Sequence, residues 1–217
     1  MALLTDEIET VLTTGGFVRF PKLMEATITT NQRVTAVTDS FSRAKLTVDP
    51  GSNTILFTSQ TGTTTDYNCV NVHTLDSQSA LGPVSIPGYV YTGNFSGCVY
   101  YLYKTGLNEV TGVHAYNGMV TVTTKRFLRS PKITQVPREF GPQGHFTGGS
   151  GATQICKHPT RGQLQLGKVI GDPAGEDCLN FLSCVERTVA TTFLFSTKGT
   201  TEGVRVRRLL DKFVDEF

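Results

Sequence analysis

The feature of this sequence that most constrains its fold is a succession of short β-branched and aromatic segments between residues 17 and 122. RVTAVT, AKLTV and TILFTS are examples, and segments of this composition separated by turn residues are typical of β-strands. DPGSN, at residues 49–53, has the composition of a hairpin connection. We therefore expect this half of the chain to form sheet.

Three segments have the spacing of amphipathic helices instead. Apolar residues recur at helical spacing between Leu4 and Leu12, with Thr5 as a candidate N-cap and two acidic residues in the first turn. The segment EDCLNFLSCVERTVAT at 176–191 and the segment VRVRRLLDKFVDEF at 204–217 show similar spacing. The sequence therefore predicts a helix at each end and one more before the last strand.

The remaining part of the chain contains a long segment rich in proline and glycine, from Ser130 to Thr153. This composition predicts irregular structure, and QLQLGKVIGD at 163–172 is predicted as a strand. A chain of 217 residues can form one domain around a sizeable core. We expect a single catalytic domain over 1–217 of the α/β (α+β) class, a β-sandwich or twisted mixed sheet flanked by helices.

Composition and charge narrow the classes of partner. A net charge of +2 is too small for a protein that tracks nucleic-acid phosphates. The N-terminus lacks the basic and apolar regions of a classical signal peptide, and no segment is long enough to span a bilayer. We therefore expect no nucleic-acid partner and no membrane span.

The cysteines do not follow a metal-binding or disulfide pattern. None of their spacings is C-x-x-C, and Cys156 with His158 lacks two further ligands at a recognisable distance. We therefore expect reduced thiols, no metal site and no cofactor, and we expect His158 to be a solvated loop residue. The five cysteines are Cys69, Cys98, Cys156, Cys178 and Cys184.

One cysteine and one histidine are predicted to meet across a hairpin. CVYYLYK at 98–104 and VTGVHAY at 110–116 both have the composition of strands. A turn centred on Gly106 would place Cys98 directly opposite His114. Opposed side chains of an antiparallel pair have Cβ atoms about 5 Å apart, so the thiol and the imidazole would be neighbours.

A thiol beside an imidazole can perform acyl-transfer chemistry. Free cysteine has a pKa of about 8.5, and an adjacent imidazolium favours the thiolate and can return a proton to a departing amine. Gly97 would let the backbone approach a substrate closely, and an amide N–H near Cys98 could face an oxyanion. The same residues are compatible with a buried cysteine, a turn glycine and a histidine that pairs across strands.

The residues around this cysteine resemble a known family. FSGC at Phe95–Cys98, followed by His114 and preceded by Thr92 behind Tyr89 and Tyr91, is similar to the Leu-Ser-Gly-Cys motif of the cytotoxic-necrotizing-factor-like glutamine deamidases. The similarity is greatest to the stand-alone lethal-factor members of that family. It covers about 25 residues together with the overall length and the β-rich character.

The resemblance implies a toxin that deamidates a glutamine side chain of a host protein. Cys98 would be the nucleophile, His114 the acid and base, and Thr92 a residue that orients the imidazole or the carboxamide, with Ser96 and Gly97 as oxyanion or positioning residues. Attack by Cys98 would give a thioester that water hydrolyses to glutamate. An amine in place of water would give transglutamination.

Partners and localisation also follow only from the resemblance. The substrate would be a Rho-type GTPase or a translation-initiation helicase by family precedent, and the protein would be a monomeric bacterial effector, secreted or injected, that acts in the host cytosol. Two alternatives remain open from the residues alone. One is a cysteine peptidase that uses the same Cys–His pair, and the other is a non-catalytic β-sandwich binding module in which Cys98 is buried and inert.

Overall fold

The structure is a computed structural model, which describes residues 3–20, 37–59, 66–75, 78–95, 97–126, 129–139, 146, 151–160, 177–198 and 203–217. Between residues 118 and 139 only the backbone is described. Within these ranges the fold is mainly β. It contains one helix and fifteen strands.

The helix and the strands are numbered in their order along the chain. The helix α1 spans Thr5–Thr13. The strands are β1 Phe17–Arg19, β2 Val37–Asp39, β3 Phe41–Asp49, β4 Thr54–Ser59, β5 Cys69–Val72, β6 Ser79–Ser85, β7 Gly88–Phe95, β8 Val99–Gly106, β9 Glu109–Ala115, β10 Asn117–Arg126, β11 Arg129–Glu139, β12 Thr153–Pro159, β13 Asp177–Val185, β14 Val189–Lys198 and β15 Val204–Glu216.

The strands form a closed barrel and a second sheet. The barrel has eight strands in the order β1-β15-β14-β13-β7-β5-β3-β4, and the second sheet has five in the order β12-β8-β9-β6-β2. The barrel is mixed, because β1 pairs in parallel with β4 and β5 with β7. Strands β10 and β11 form a separate antiparallel pair.

The barrel is filled by apolar side chains from all eight of its strands together with the buried face of α1. Leu12 of the helix is fully buried, and so is Phe193 of β14, while Phe57 is 2% exposed. Phe57 and Tyr91 have ring centroids 5.1 Å apart inside this core. The helix thus completes the barrel core and does not cover its outside.

A second apolar cluster joins the outer face of the barrel to the five-stranded sheet. Val90 and Phe181 come from the barrel, and Tyr100 and Leu102 come from the sheet. The opposite face of that sheet carries a third cluster, which includes Tyr101 and packs against Phe146. Because β7 and β9 lie on either side of the second cluster, their side chains meet there.

The predicted α/β class with flanking helices is wrong in its helices. The segment predicted as a helix at 176–191 forms β13 and the start of β14, and the terminal segment at 204–217 forms β15. β13 is buried on both faces, because Phe181 belongs to the second cluster and Leu182 to the barrel core. A strand of this kind has no alternation of polar and apolar residues, so its sequence does not distinguish it from a buried helix.

The proline- and glycine-rich segment was also predicted wrongly in part. Residues 129–139 form β11, which pairs with β10 from Arg129 to Glu139, and the residues from Thr153 onward form β12. Phe146 is described between them, whereas 140–145, 147–150 and the strand predicted at 163–172 lie outside the described residues. An antiparallel partner strand therefore overrides the local turn composition of the first part.

Two local predictions are confirmed. The N-terminal segment forms α1, and 50–53 connects β3 to β4 in an antiparallel hairpin. The cap was predicted one residue too late, because Leu4 is the N-cap and no side chain caps the helix. Within the described ranges, no helix has the length and the apolar character needed to cross a membrane.

Candidate functional site

The hairpin β8–β9 brings the predicted strands together in a register that differs from the predicted one. Tyr100, not Cys98, lies opposite His114, and Val99 lies opposite Ala115. The turn is at 107–108, and the register shifts between Lys104 and Gly106, so the hairpin is centred later than the sequence suggests. The prediction that Cys98 directly faces His114 is therefore wrong.

Cys98 nevertheless lies close in sequence to the residue that faces His114. It lies just before β8, which begins at Val99, and is two residues before Tyr100. Positions offset by two across an antiparallel pair lie about 7 Å apart. Its carbonyl oxygen accepts hydrogen bonds from the backbone N–H of Thr160 at 3.3 Å and from Thr160 Oγ1 at 2.7 Å. These bonds hold the backbone of Cys98, just before β8, against Thr160, just after β12.

His114 lies in the cluster between the barrel and the five-stranded sheet. Its strand, β9, is flanked by β8 and β6, and the side chain is 1% exposed. Its ring stacks on Phe95 with centroids 3.9 Å apart. Burial lowers the pKa of His114 to about 3, so the imidazole is neutral at pH 7.

Thr92 contacts His114 directly, as the resemblance implies for two residues of one active site. The distance between Thr92 Oγ1 and His114 Nδ1 is 3.0 Å, and Thr92 is fully buried. Thr92 comes from β7 of the barrel, so the hydrogen bond crosses from the barrel to the second sheet. The other ring nitrogen of His114, Nε2, is buried and has no hydrogen-bond partner among the described residues.

Gly97 has the backbone conformation that favours glycine. Its φ is +125°, and a Cβ placed there would meet no atom of the described residues within 4 Å. A close approach of a substrate to this backbone stays a prediction from the sequence. Ser96, the other predicted positioning residue, lies outside the described residues.

The cysteines differ in exposure and in acidity. All five are described, none of them forms a disulfide, and all are buried, with Cys98, at 9%, the most exposed. Burial raises the pKa of Cys69 well above its usual range and raises the pKa of Cys184 to about 12. Burial, assisted by the Asp215 carboxylate, likewise raises the pKa of Cys156. These three thiols are poor nucleophiles at neutral pH.

A second group of reactive side chains lies two strands away. Cys156 and His158 of β12 and Asp215 of β15 place one ligand-type atom each within 4.8 Å of one another. No local pattern in the sequence links Asp215 to the other two residues, because it is 57 positions from His158 and lies in a segment with the pattern of a helix. His158 is not a solvated loop residue as predicted, since it belongs to β12 and its side chain is 12% exposed.

Tyr100 separates the two groups. It lies opposite His114 on β9 and opposite His158 on β12, so the two histidines are about 10 Å apart across three strands. The Tyr100 hydroxyl is bonded to Ser183 Oγ of the barrel at 2.8 Å. The candidate site is thus centred on the Thr92–His114 pair, and Gly97 and Cys98 lie on the segment that leads into the neighbouring strand β8.

Comparison with known proteins adds no further assignment. The chain matches no protein-family model, no curated protein and no solved structure.

Proposed function

We propose that the protein is a glutamine deamidase that uses Cys98 as nucleophile and His114 as acid and base. Its substrate is a glutamine side chain of a host protein, with a Rho-type GTPase or a translation-initiation helicase as the expected class. The protein acts as a secreted or injected bacterial effector in the host cytosol. Turnover converts the carboxamide to a carboxylate and releases ammonia.

The observation that carries this proposal is the hydrogen bond between Thr92 and His114. The two residues are 22 positions apart and belong to different sheets, and their side chains meet at 3.0 Å. The resemblance to the deamidases assigned both to one site from sequence. Support also comes from Gly97, whose positive φ and open surroundings suit the residue before the nucleophile.

The chemistry begins from a neutral imidazole at His114. Because burial holds the pKa of His114 at about 3, the resting imidazole carries no charge. When Nδ1 holds the ring proton and donates it to Thr92 Oγ1, Nε2 has a free lone pair and acts as the general base. Catalytic hydrogen bonds are often long before substrate binds. The proposal requires the Gly97–Cys98 segment to bring the Cys98 sulfur within hydrogen-bond distance of His114 Nε2.

The reaction balances in two steps. Nε2 takes the thiol proton while the sulfur attacks the carboxamide carbon, and the same nitrogen then gives that proton to the departing nitrogen, which leaves as ammonia. The resulting thioester is attacked by water, and His114 removes a proton from that water and returns it to the sulfur. The products are glutamate and free enzyme.

The test is mass spectrometry of host-cell proteins exposed to wild type and to variants. A glutamine converted to glutamate by wild type and not by Cys98→Ser or His114→Gln supports the proposal. Cys178→Ser is the matched control, because Cys178 is 7% exposed and lies on β13 of the barrel. If Cys178→Ser abolishes the conversion as completely as Cys98→Ser does, the assignment of the nucleophile is wrong.

The same experiment separates deamidation from peptide cleavage. Shortened polypeptides in place of converted glutamines would identify a cysteine peptidase. Cys98 precedes a strand, whereas peptidases of the papain type place their cysteine at a helix N-terminus. This position favours side-chain deamidation over cleavage.

Burial of the pair favours one second candidate, a binding module without catalysis. His114 is 1% exposed and Cys98 belongs to the apolar cluster between the sheets. Alkylation of the native protein distinguishes the two. The deamidase requires Cys98 to react at least about tenfold faster than Cys178, whereas equally slow labelling of both thiols supports the module.

A further inference from the structure

We propose that Cys156, His158 and Asp215 form a binding site for a divalent transition-metal ion of the zinc type. Cys156 and His158 lie on β12, and Asp215 lies near the end of β15. They are separate from the proposed Cys98–His114 pair, and the inference does not depend on the deamidase assignment.

The spacing of the ligand atoms suits such an ion. The sulfur, imidazole nitrogen and carboxylate oxygen lie within 4.8 Å of one another, and His158 Nε2 is 3.6 Å from Asp215 Oδ2. Zinc binds nitrogen and oxygen at about 2.0–2.2 Å and sulfur at about 2.3 Å, so the ligand atoms of a tetrahedral site are about 3.3–3.7 Å apart. Small side-chain rotations therefore bring all three to one ion.

Two of the three ligand atoms lack a hydrogen-bond partner among the described residues. They are His158 Nε2 and Asp215 Oδ2, and both are buried. Their separation of 3.6 Å is too long for a hydrogen bond between them. Buried polar atoms are normally satisfied, and a cation bound between these two would satisfy both.

The charges and the surroundings agree with a dication. A Cys156 thiolate and the Asp215 carboxylate supply two negative charges, and neutral His158 adds a nitrogen ligand, so an ion of charge +2 neutralises the group. Phe213 stacks on the His158 ring with centroids 3.9 Å apart and holds its orientation. The apolar wall strengthens metal–ligand attraction by excluding water.

The ligand types select the class of metal. Thiolate and imidazole ligands favour zinc and similar ions, whereas calcium and magnesium prefer sites made of oxygen atoms. Three protein ligands also leave one position for water or an external ligand, which is the arrangement of catalytic zinc sites and not of closed structural ones.

The test uses the full chain, stripped with a chelator and then titrated with Zn²⁺ or Co²⁺. We expect one equivalent of metal to remain after dialysis, and we expect the Co²⁺ form to show the absorption of a thiolate-to-metal charge transfer. Cys156→Ser, His158→Gln and Asp215→Asn should each weaken binding at least tenfold, and Cys156→Ser should abolish the charge-transfer absorption.

Matched controls test the position of the site. Cys178→Ser and Cys98→Ser keep the three ligands, and Asp211→Asn removes a neighbouring exposed carboxylate, so all three should bind as wild type does. Asp215 is 27% exposed, so its replacement by asparagine is compatible with folding even if Cys156→Ser is not. The proposal would be overturned if wild type bound no Zn²⁺ or if it bound Mg²⁺ but not Zn²⁺. It would also be overturned if Asp215→Asn bound Zn²⁺ as tightly as wild type does.

Discussion

At the scale of single residues, His114 shows how burial sets the chemistry of a side chain. The ring is held by Thr92 on one side and by Phe95 on its face, and desolvation by burial is what lowers its pKa. Desolvation is therefore decisive, and the folded protein keeps His114 neutral. Any reaction that protonates this ring must supply a compensating negative charge, as a thiolate or an oxyanion would.

The low pKa of His114 makes stability depend on pH. Because its folded pKa of about 3 lies below the unfolded value of about 6.5, stability present at pH 7 is lost as the pH falls through this interval, at up to about 1.4 kcal/mol per pH unit. We expect His114→Gln to reduce this slope by nearly one proton. Urea unfolding at several pH values measures it.

His73→Gln is the control for that measurement. Burial lowers the pKa of His73 as well, but its ring is only partly buried and is bonded through Nδ1 to Ser40 Oγ at 3.0 Å. Its replacement should change the slope less than His114→Gln does. A slope that His114→Gln leaves unchanged would show that His114 is not held neutral by its site.

The hydroxyl group of Thr92 should contribute more to the free energy of unfolding than its methyl group does. Thr92→Val keeps the shape but leaves Nδ1 of His114 without its partner, so we expect a loss of about 1–3 kcal/mol in the free energy of unfolding. Thr92→Ser keeps the hydroxyl and loses one methyl, at about 1 kcal/mol. The ¹⁵N shift of His114 Nδ1 should change in Thr92→Val and stay near the wild-type value in Thr92→Ser; the same shift in all three proteins would contradict this.

At the scale of elements, one close approach between β9 and β7 fixes how the sheets pack. A Cβ at Gly112 of β9 would lie 2.2 Å from Val90 Cγ1 of β7. No side chain fits there, because the contact is with the branched side chain of a fully buried residue. Gly112 is two positions before His114, so this approach also determines how near His114 comes to Thr92.

Gly112→Ala should therefore destabilise the protein strongly for so small a change. We expect a loss of about 1–3 kcal/mol, because the two sheets must move apart or Val90 must leave its rotamer. Gly106→Ala in the same hairpin is the control, since its added Cβ would meet only Glu109 Cβ at 3.4 Å. Chemical denaturation measures both, and equal effects would refute the role of the close approach.

The element scale also shows what the sequence could and could not reveal. The β8–β9 hairpin was predicted because its strands have typical composition, but its register was not, because the extra residue between Lys104 and Gly106 has no sequence signal. β15 has the sequence pattern of a helix, and in the structure its pairing with β14 shifts register twice, at residues 210 and 207 of β15. Each shift breaks the alternation of a strand.

The sequence suggests which residues belong to the candidate site but not how they are arranged. The FSGC motif and the spacing to His114 drew attention to four residues in a short segment, and their neighbourhood follows from chain connectivity. The position of Thr92 against His114 depends on barrel packing, which no local pattern encodes. The cluster around Asp215 was missed for the same reason, since β12 and β15 meet only in the folded chain.

At the scale of the whole molecule, three apolar layers hold the described parts together. The barrel core includes the helix α1, a second cluster joins barrel and sheet, and a third covers the far side of the sheet. The second layer also contains polar links, such as the bond between Tyr100 and Ser183. The candidate site and the proposed metal site both lie in this second layer.

The helix should contribute substantially to the stability of the barrel. Leu12 is fully buried in the barrel core, so Leu12→Ala should cost about 2–5 kcal/mol in the free energy of unfolding. Leu107→Ala makes the same chemical change at a residue that is 87% exposed, and we expect it to cost less than about 0.5 kcal/mol. Thermal or chemical unfolding measures both. Similar losses would show that α1 does not complete the core.

Tyr100 lies between the candidate site at His114 and the proposed metal site at His158. Its ring has one histidine on each side, on β9 and on β12, and its hydroxyl reaches across to the barrel. A molecule or ion that shifts this ring from either side changes the space available on the other. The site at His114 and the site at His158 are thus coupled through one side chain. A titration that changes the NMR signal of one histidine should also shift the signal of the other.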